Sequence, residues 1–293
     1  MKLNKIVAAA ALSLISMGAN AITLDQVAGS TQWKLSGLTT ESNTWAGTNE
    51  TTWGVGAVTQ LTSATGTWFA GASDGYYLYY MIYGISDLNI VSNNGANFDI
   101  YNIGATGGVA DGEIHMDIYR TTTQIPAIDQ FFNADPADRT AFDMYSAFAA
   151  LGPAYLEVVM GAGKQTVDVT GSVVDLDPLA DETMATLVQH TFSQSLPTSG
   201  QGEFFADVVG GTAAAKWDTN GQFGHDFDAK YTLSVNGDTF GTGTCTDAQI
   251  ASNDCFAGYI NDPIRSKALP EPGTLALVGL ALTGLAISRR RKA

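Results

Sequence analysis

The chain has 293 residues, with 29 acidic against 14 basic side chains and a formal net charge of −15. Six of the basic residues lie at the extremities (Lys2, Lys5, Arg289, Arg290, Arg291 and Lys292), so what lies between carries 29 acidic against 8 basic residues, a net charge of −21. Such a body repels nucleic acid and anionic surfaces, which excludes a nucleic-acid partner and suits a protein soluble in the open.

In chain order, Lys2 and Lys5 precede a short apolar stretch, residues 6–15, and then Ala19-Asn20-Ala21. A charged start, an apolar centre and a small-residue A-x-A site describe a secretory signal peptide over residues 1–21. Signal peptidase is then the first processing partner, with Ala19 and Ala21 at the cut and export by the Sec route. The apolar centre is too short for a permanent anchor.

Residues 22–266 form the exported domain, long enough for one large or two small folding units. Its Gly, Thr, Asn, Asp and aromatic content fits a secreted β-protein with many turns. Residues 45–69 are rich in Thr, Trp and Gly and show no helical period. Residues 76–83 are a dense aromatic run, followed by 87–91, and read as one or two buried strands. Together with Trp33, Trp45, Trp53 and Trp68 these aromatics form either a core or a sugar-stacking platform. Residues 95–112 read as a loop, and 114–120 as a strand with one wet face.

Asp135-Pro136 is a helix start, with Phe142, Tyr145, Phe148 and Ala149 at helical spacing and a stop at Gly152-Pro153. A second helix is expected from Asp177-Pro178 to about His190. Residues 155–160 and 166–174, between them, read as strands. Beyond a loop at 193–202, residues 203–209 and 230–235 alternate as strands, the latter before an Asn236-Gly237 hairpin turn. Cys245 and Cys255, the two cysteines, are expected to form a disulfide in an oxidising compartment, stabilising the fold by about 2–3 kcal/mol. Residues 265–269 read as a linker. The expected architecture is mainly β: a β-sandwich or jelly roll with two short helices at its edge.

Chemistry-bearing motifs are sparse. The histidines, His115, His190 and His225, form no zinc-protease pair, and no nucleophile elbow is present, so a non-enzymatic role is expected. Two carboxylates suffice for glycosidase chemistry, and a glycan-acting enzyme is the alternative. Residues 217–228 offer Asp218, Asn220, Asp226 and Asp228 in a Gly-containing loop. These oxygens suit calcium, though Phe223 and Ala229 break the EF-hand pattern. The other reading of the segment is a turn in which Asp and Asn bond their own backbone. A calcium-dependent carbohydrate-binding module is thus a further alternative.

Residues 267–293 close the chain in a fixed order. Pro270-Glu271-Pro272 precedes an apolar run at 274–287, and Ser288 leads into Arg289, Arg290, Arg291 and Lys292. At about 15 residues, against the ~20 of a stable span, the run is a short transmembrane helix suited to transient insertion in the inner membrane. The arginines stay on the cytoplasmic side. Both prolines keep the preceding peptide extended at the outer boundary.

This tail resembles the PEP-CTERM sorting signal of Gram-negative bacteria. The resemblance implies processing by exosortase, a membrane-bound transpeptidase, and delivery to the cell surface or extracellular matrix, with extracellular polysaccharide as a partner. Within the body, Gly202-Glu203-Phe204-Phe205, Val209-Gly210-Gly211-Thr212-Ala213 and Asp218-Thr219-Asn220 resemble the late region of flocculation-associated PEP-CTERM proteins. That second resemblance implies a place in floc or biofilm matrix.

Overall fold

The computed structural model describes residues 28–41, 50, 52–63, 66–69, 71–93, 97–104, 112–126, 139, 144–160, 166–167, 173–174, 184–189, 199–222, 224–235, 256–260 and 263–269. The signal peptide, both cysteines, the Asn236-Gly237 turn, and the sorting residues from Pro270 onward lie outside these. Among the described residues no helix is long and apolar enough to cross a membrane.

The described elements are mainly strands: β1 (Gly29–Glu41), β2 (Thr52–Ser63), β3 (Gly66–Phe69), β4 (Tyr77–Asn93), β5 (Asn97–Gly104), β6 (Ile114–Thr121) and β7 (Leu156–Met160). There follow β8 (Thr166–Val167), β9 (Val173–Val174), β10 (Met184–Gln189), β11 (Ser199–Gly210), β12 (Phe227–Val235), β13 (Phe256–Ile260) and β14 (Pro263–Ala268). Strands β8 and β9 pair with each other, and the other twelve form one sheet.

That sheet closes on itself. Going round, β1 pairs with β2, β2 with β4, β4 with β6, β6 with β7, β7 with β11, β11 with β12, β12 with β14, and β14 with β1. The result is an eight-stranded antiparallel barrel, in place of the sandwich or jelly roll expected from sequence. Long strands serve two partners in succession. Residues 77–83 of β4 pair with β6 and 85–93 with β5. Strand β11 turns from β10 to β7 along its length, and β1 from β14 to β13. Ring closure leaves the wall without a free edge, which antiparallel sheets otherwise have to protect.

Alternation explains the aromatic run. Leu78 and Tyr80 point into the barrel, where they join Trp33, Leu35, Leu61, Met116, Ile118, Val158 and Phe227 in the main core. Tyr79 and Met81 point outward, into a second cluster with Trp53, Val55, Tyr119, Tyr145 and Phe148. Successive side chains of a strand face opposite sides, so one run feeds two cores. Trp33, Trp53, Tyr76, Tyr79 and Tyr80 are buried as packing residues and Tyr77 and Tyr83 are half-buried, while Trp45 and the Trp68 side chain lie outside the described residues. Gly84 has φ 79° and sits where the β2–β4 register shifts, which returns Ile85 to the interior. Inside the barrel, Gly37 and Gly56 face each other beneath the Tyr80 hydroxyl, with no room for a Cβ at either.

Several expected elements differ. Residues 184–189 are strand β10, not a helix, and Ser146–Phe148 is a single 3-10 turn. Other short helical pieces among the described residues are a 3-10 turn at Gly71–Asp74 and α1 (Ala214–Trp217), which the sequence did not announce. Asn97–Gly104 lies inside the expected loop and is strand β5. Residues 166–174 are two short paired pieces, not one strand. The supposed linker is also a strand. Pro263, Arg265 and Lys267 are exposed while Ile264, Ser266 and Ala268 are buried, the period of two that a barrel wall demands.

Candidate functional site at the tail-bearing end

At one end of the barrel lie the start of β1, the ends of β6, β11 and β14, and the starts of β4 and β12. The first and last of these strands are neighbours: Gly29 is opposite Ala268. One residue past β14, the Leu269 N–H donates to the Lys216 carbonyl oxygen at 2.8 Å. The chain is therefore held to the barrel up to the residue before Pro270.

A buried aromatic plug fixes this end. The Trp217 ring of α1 meets Trp33 edge-on at 4.6 Å, and Trp33 meets Phe227 at 5.8 Å. Each indole has an acceptor: Trp33 Nε1 donates to Ser266 Oγ at 2.7 Å, and Trp217 Nε1 to Tyr155 Oη at 3.2 Å. Buried indole N–H groups need such partners. Ser266 thus ties the strand that precedes the tail to the centre of the plug. Thr212 and Ala213 donate their N–H groups to the carbonyls of Ala154 and Tyr155 and so seat α1 against β7.

The loop between α1 and β12 holds the sequence-selected oxygens. Asp226 is buried, and its Oδ1 accepts from the backbone N–H of Thr219 at 2.5 Å and of Asn220 at 2.6 Å. Its Oδ2 accepts from the Val208 N–H at 2.9 Å. Both oxygens are turned onto backbone amides, the local arrangement that Asp favours in turns. Asn220 is exposed, with φ 49°, and Asp218 is exposed beside it. Asp228 stands on β12, where the Arg265 guanidinium lies 3.8 Å from its carboxylate. The loop therefore brings Asp226 to the amides of 219 and 220, while Asp228 faces β14. His225 in the same loop stacks on Phe205 at 5.1 Å and lies 3.2 Å from Asp207.

A second polar group, not selected from sequence, sits on the outer wall. Arg139 is buried and forms an ion pair with Glu50 at 2.9 Å, its guanidinium lying over the rings of Trp53 and Tyr83. Glu50 also accepts from the Gly84 N–H at 2.7 Å. Tyr83 stacks on His115 at 4.9 Å and donates to Asp117 Oδ2 at 3.0 Å. Burial is the main cause that lifts the Asp117 carboxyl to about 6, with Glu157 opposite it adding to the rise. Burial likewise raises the phenols of Tyr83 and Tyr119. The outward parity of Tyr83, Asp117 and Glu157 is legible in the strand pattern; the arrival of Glu50 and Arg139 from distant segments is not.

Comparison with known proteins adds one finding. No curated protein and no solved structure matches the chain. Residues 268–292 match the PEP-CTERM protein-sorting motif. The match takes in Pro270, Glu271, Pro272, Arg289, Arg290 and Arg291, and its first residue, Ala268, is the last of β14. The chain thus carries, without a spacer after its final barrel strand, the PEP-CTERM motif of an exported bacterial protein that exosortase sorts to the cell surface.

Proposed function

We propose that this is a non-enzymatic protein of the biofilm or exopolysaccharide matrix, acting in adhesion or flocculation. It leaves a Gram-negative cell by the Sec route and is held briefly in the inner membrane by residues 274–287. Exosortase then cuts at Pro270-Glu271-Pro272. The observation that carries this reading is the sorting motif joined directly to a closed, well-packed barrel. The sequence resemblance to flocculation-associated proteins and the net charge of −21 between the basic ends agree with a soluble matrix component. Deleting the exosortase should leave the tail uncut and remove the protein from the matrix. An identical mature C-terminus in the mutant, read by mass spectrometry, would overturn the proposal.

A secreted glycan-acting enzyme is the second reading, favoured by one observation. Asp117 and Glu157 are direct cross-strand partners, and such partners have Cβ atoms roughly 5 Å apart. One carboxyl is raised to about 6 and the other is exposed, a division of character that acid–base glycosidases use. Hydrolysis of matrix polysaccharide that disappears in both Asp117→Asn and Glu157→Gln would establish it. A calcium-dependent carbohydrate-binding module rests on Asp218 and Asn220. Calorimetric titration with calcium alone decides it.

A further inference from the structure

In a body so acidic, cations are informative where they gather. Of its eight basic residues, Lys34, Arg265 and Lys267 are exposed on the adjoining strands β1 and β14, in the half nearest the tail. Their positions interlock, because Lys34 is opposite Pro263, Gln32 opposite Arg265, and Ser30 opposite Lys267. Lys216 adds a fourth basic residue at the rim, beside the Leu269 anchor. Across this wall the acidic neighbours are Asp228, against Arg265, and Asp218, next to α1. Glu41, Asp87 and Asp99 lie toward the opposite end of β1, β4 and β5. Lys34, Arg265 and Lys267 thus form an exposed basic stripe on one wall where the tail leaves, while Asp74, Glu157 and Asp207 lie on other strands and turns at that end.

From this placement we infer that the outer wall formed by β1 and β14 is a docking face for anionic phospholipid. The inference rests on the reading of residues 274–287 as a membrane segment. Five peptide steps separate Leu269, fixed on the barrel, from Thr274, the first residue of the apolar run. Fully extended they span at most about 17 Å. An inserted tail therefore holds the rim close to the lipid headgroups, where most of the acidic body is repelled and this wall is attracted. Docking orients the barrel on its basic side and presents Pro270-Glu271-Pro272 at the membrane boundary before the cut. Once the tail is cut, the tether is lost and the net charge of the body favours release.

The test uses the full chain reconstituted in vesicles of phosphatidylglycerol or of phosphatidylcholine. Acylation of Lys34 and Lys267 is followed by mass spectrometry, together with protection of residues 274–287 from protease. Docking predicts several-fold slower acylation of both lysines on phosphatidylglycerol, with the difference abolished at about 0.5 M salt, where the screening length is only a few ångströms. It also predicts that Lys34→Glu combined with Arg265→Glu restores fast acylation of Lys267. Equal acylation in both lipids with a protected tail overturns the docking face alone. A tail digested in both vesicles overturns the membrane reading of 274–287 and the docking face with it.

Discussion

At the scale of single residues, two carboxylates illustrate opposite uses of burial. Asp226 is buried but accepts three backbone N–H groups, so its charge is well solvated by the protein. Replacing it with Ala strands those donors, and each buried unsatisfied group costs about 1–3 kcal/mol. Asp226→Ala should therefore lower stability by roughly 2–4 kcal/mol in urea titration. Because both oxygens already have partners, a chelator should leave the wild-type melting temperature unchanged. Asp117 is the contrary case, a carboxyl that burial holds at about 6. A carboxyl raised above its unfolded value binds its proton more tightly when folded. Its contribution is favourable below pH 4 and declines as the pH rises through 6. Asp117→Asn keeps an oxygen for Tyr83 and removes the titration, so it should gain on the wild type between pH 4 and 7, by at most about 3 kcal/mol. Denaturation midpoints across that range test the sign, and a parallel pair of profiles would refute it.

At the scale of elements, β14 matters most, because it completes the ring and carries the tail. A chain ending after Leu269 should melt like the full protein. One ending before Pro263 loses β14, the Trp33–Ser266 bond and the Leu269 anchor, and should lose its sharp thermal transition in circular dichroism. This strand was hidden in the sequence by its own surface. Arg265 and Lys267 face water, and so short a segment as 265–269, with its charges two positions apart, looks like a linker when the partner strand is unknown. Strand β10 was hidden differently, since Met184, Leu187 and Val188 fit a helical face as well as a strand in so short a window. By contrast β6 and most of β12 were legible, from the partial alternation of 114–120 and the clean alternation of 230–235, although the first residues of β12 were read as loop. The local bonds of Asp226 within its turn were likewise open to sequence reasoning. The Glu50–Arg139 pair was not, because it joins residues 89 positions apart.

At the scale of the whole molecule, closure distinguishes a barrel from the expected sandwich, and it depends on β2 meeting β4 and β1 meeting β14. No local pattern encodes such long-range pairing. A ring with a shared core should unfold as one unit, so far- and near-ultraviolet circular dichroism should report one common midpoint. Non-coincident midpoints would mean that the ring opens in stages. The pairing of Gly29 with Ala268 has a temporal consequence as well. Strand β1 is synthesised first among the barrel strands and its partner last, so the ring stays open while the chain is being made and delivered. Until then β1 and β12 each offer a bare edge, a template for pairing with other chains. Since β14 immediately precedes the sorting motif, the step that completes the barrel coincides with the arrival of the tail at its destination. A chain that stalls earlier is left with exposed edges, and quality control would meet it as an aggregating species rather than as a misaddressed but folded protein.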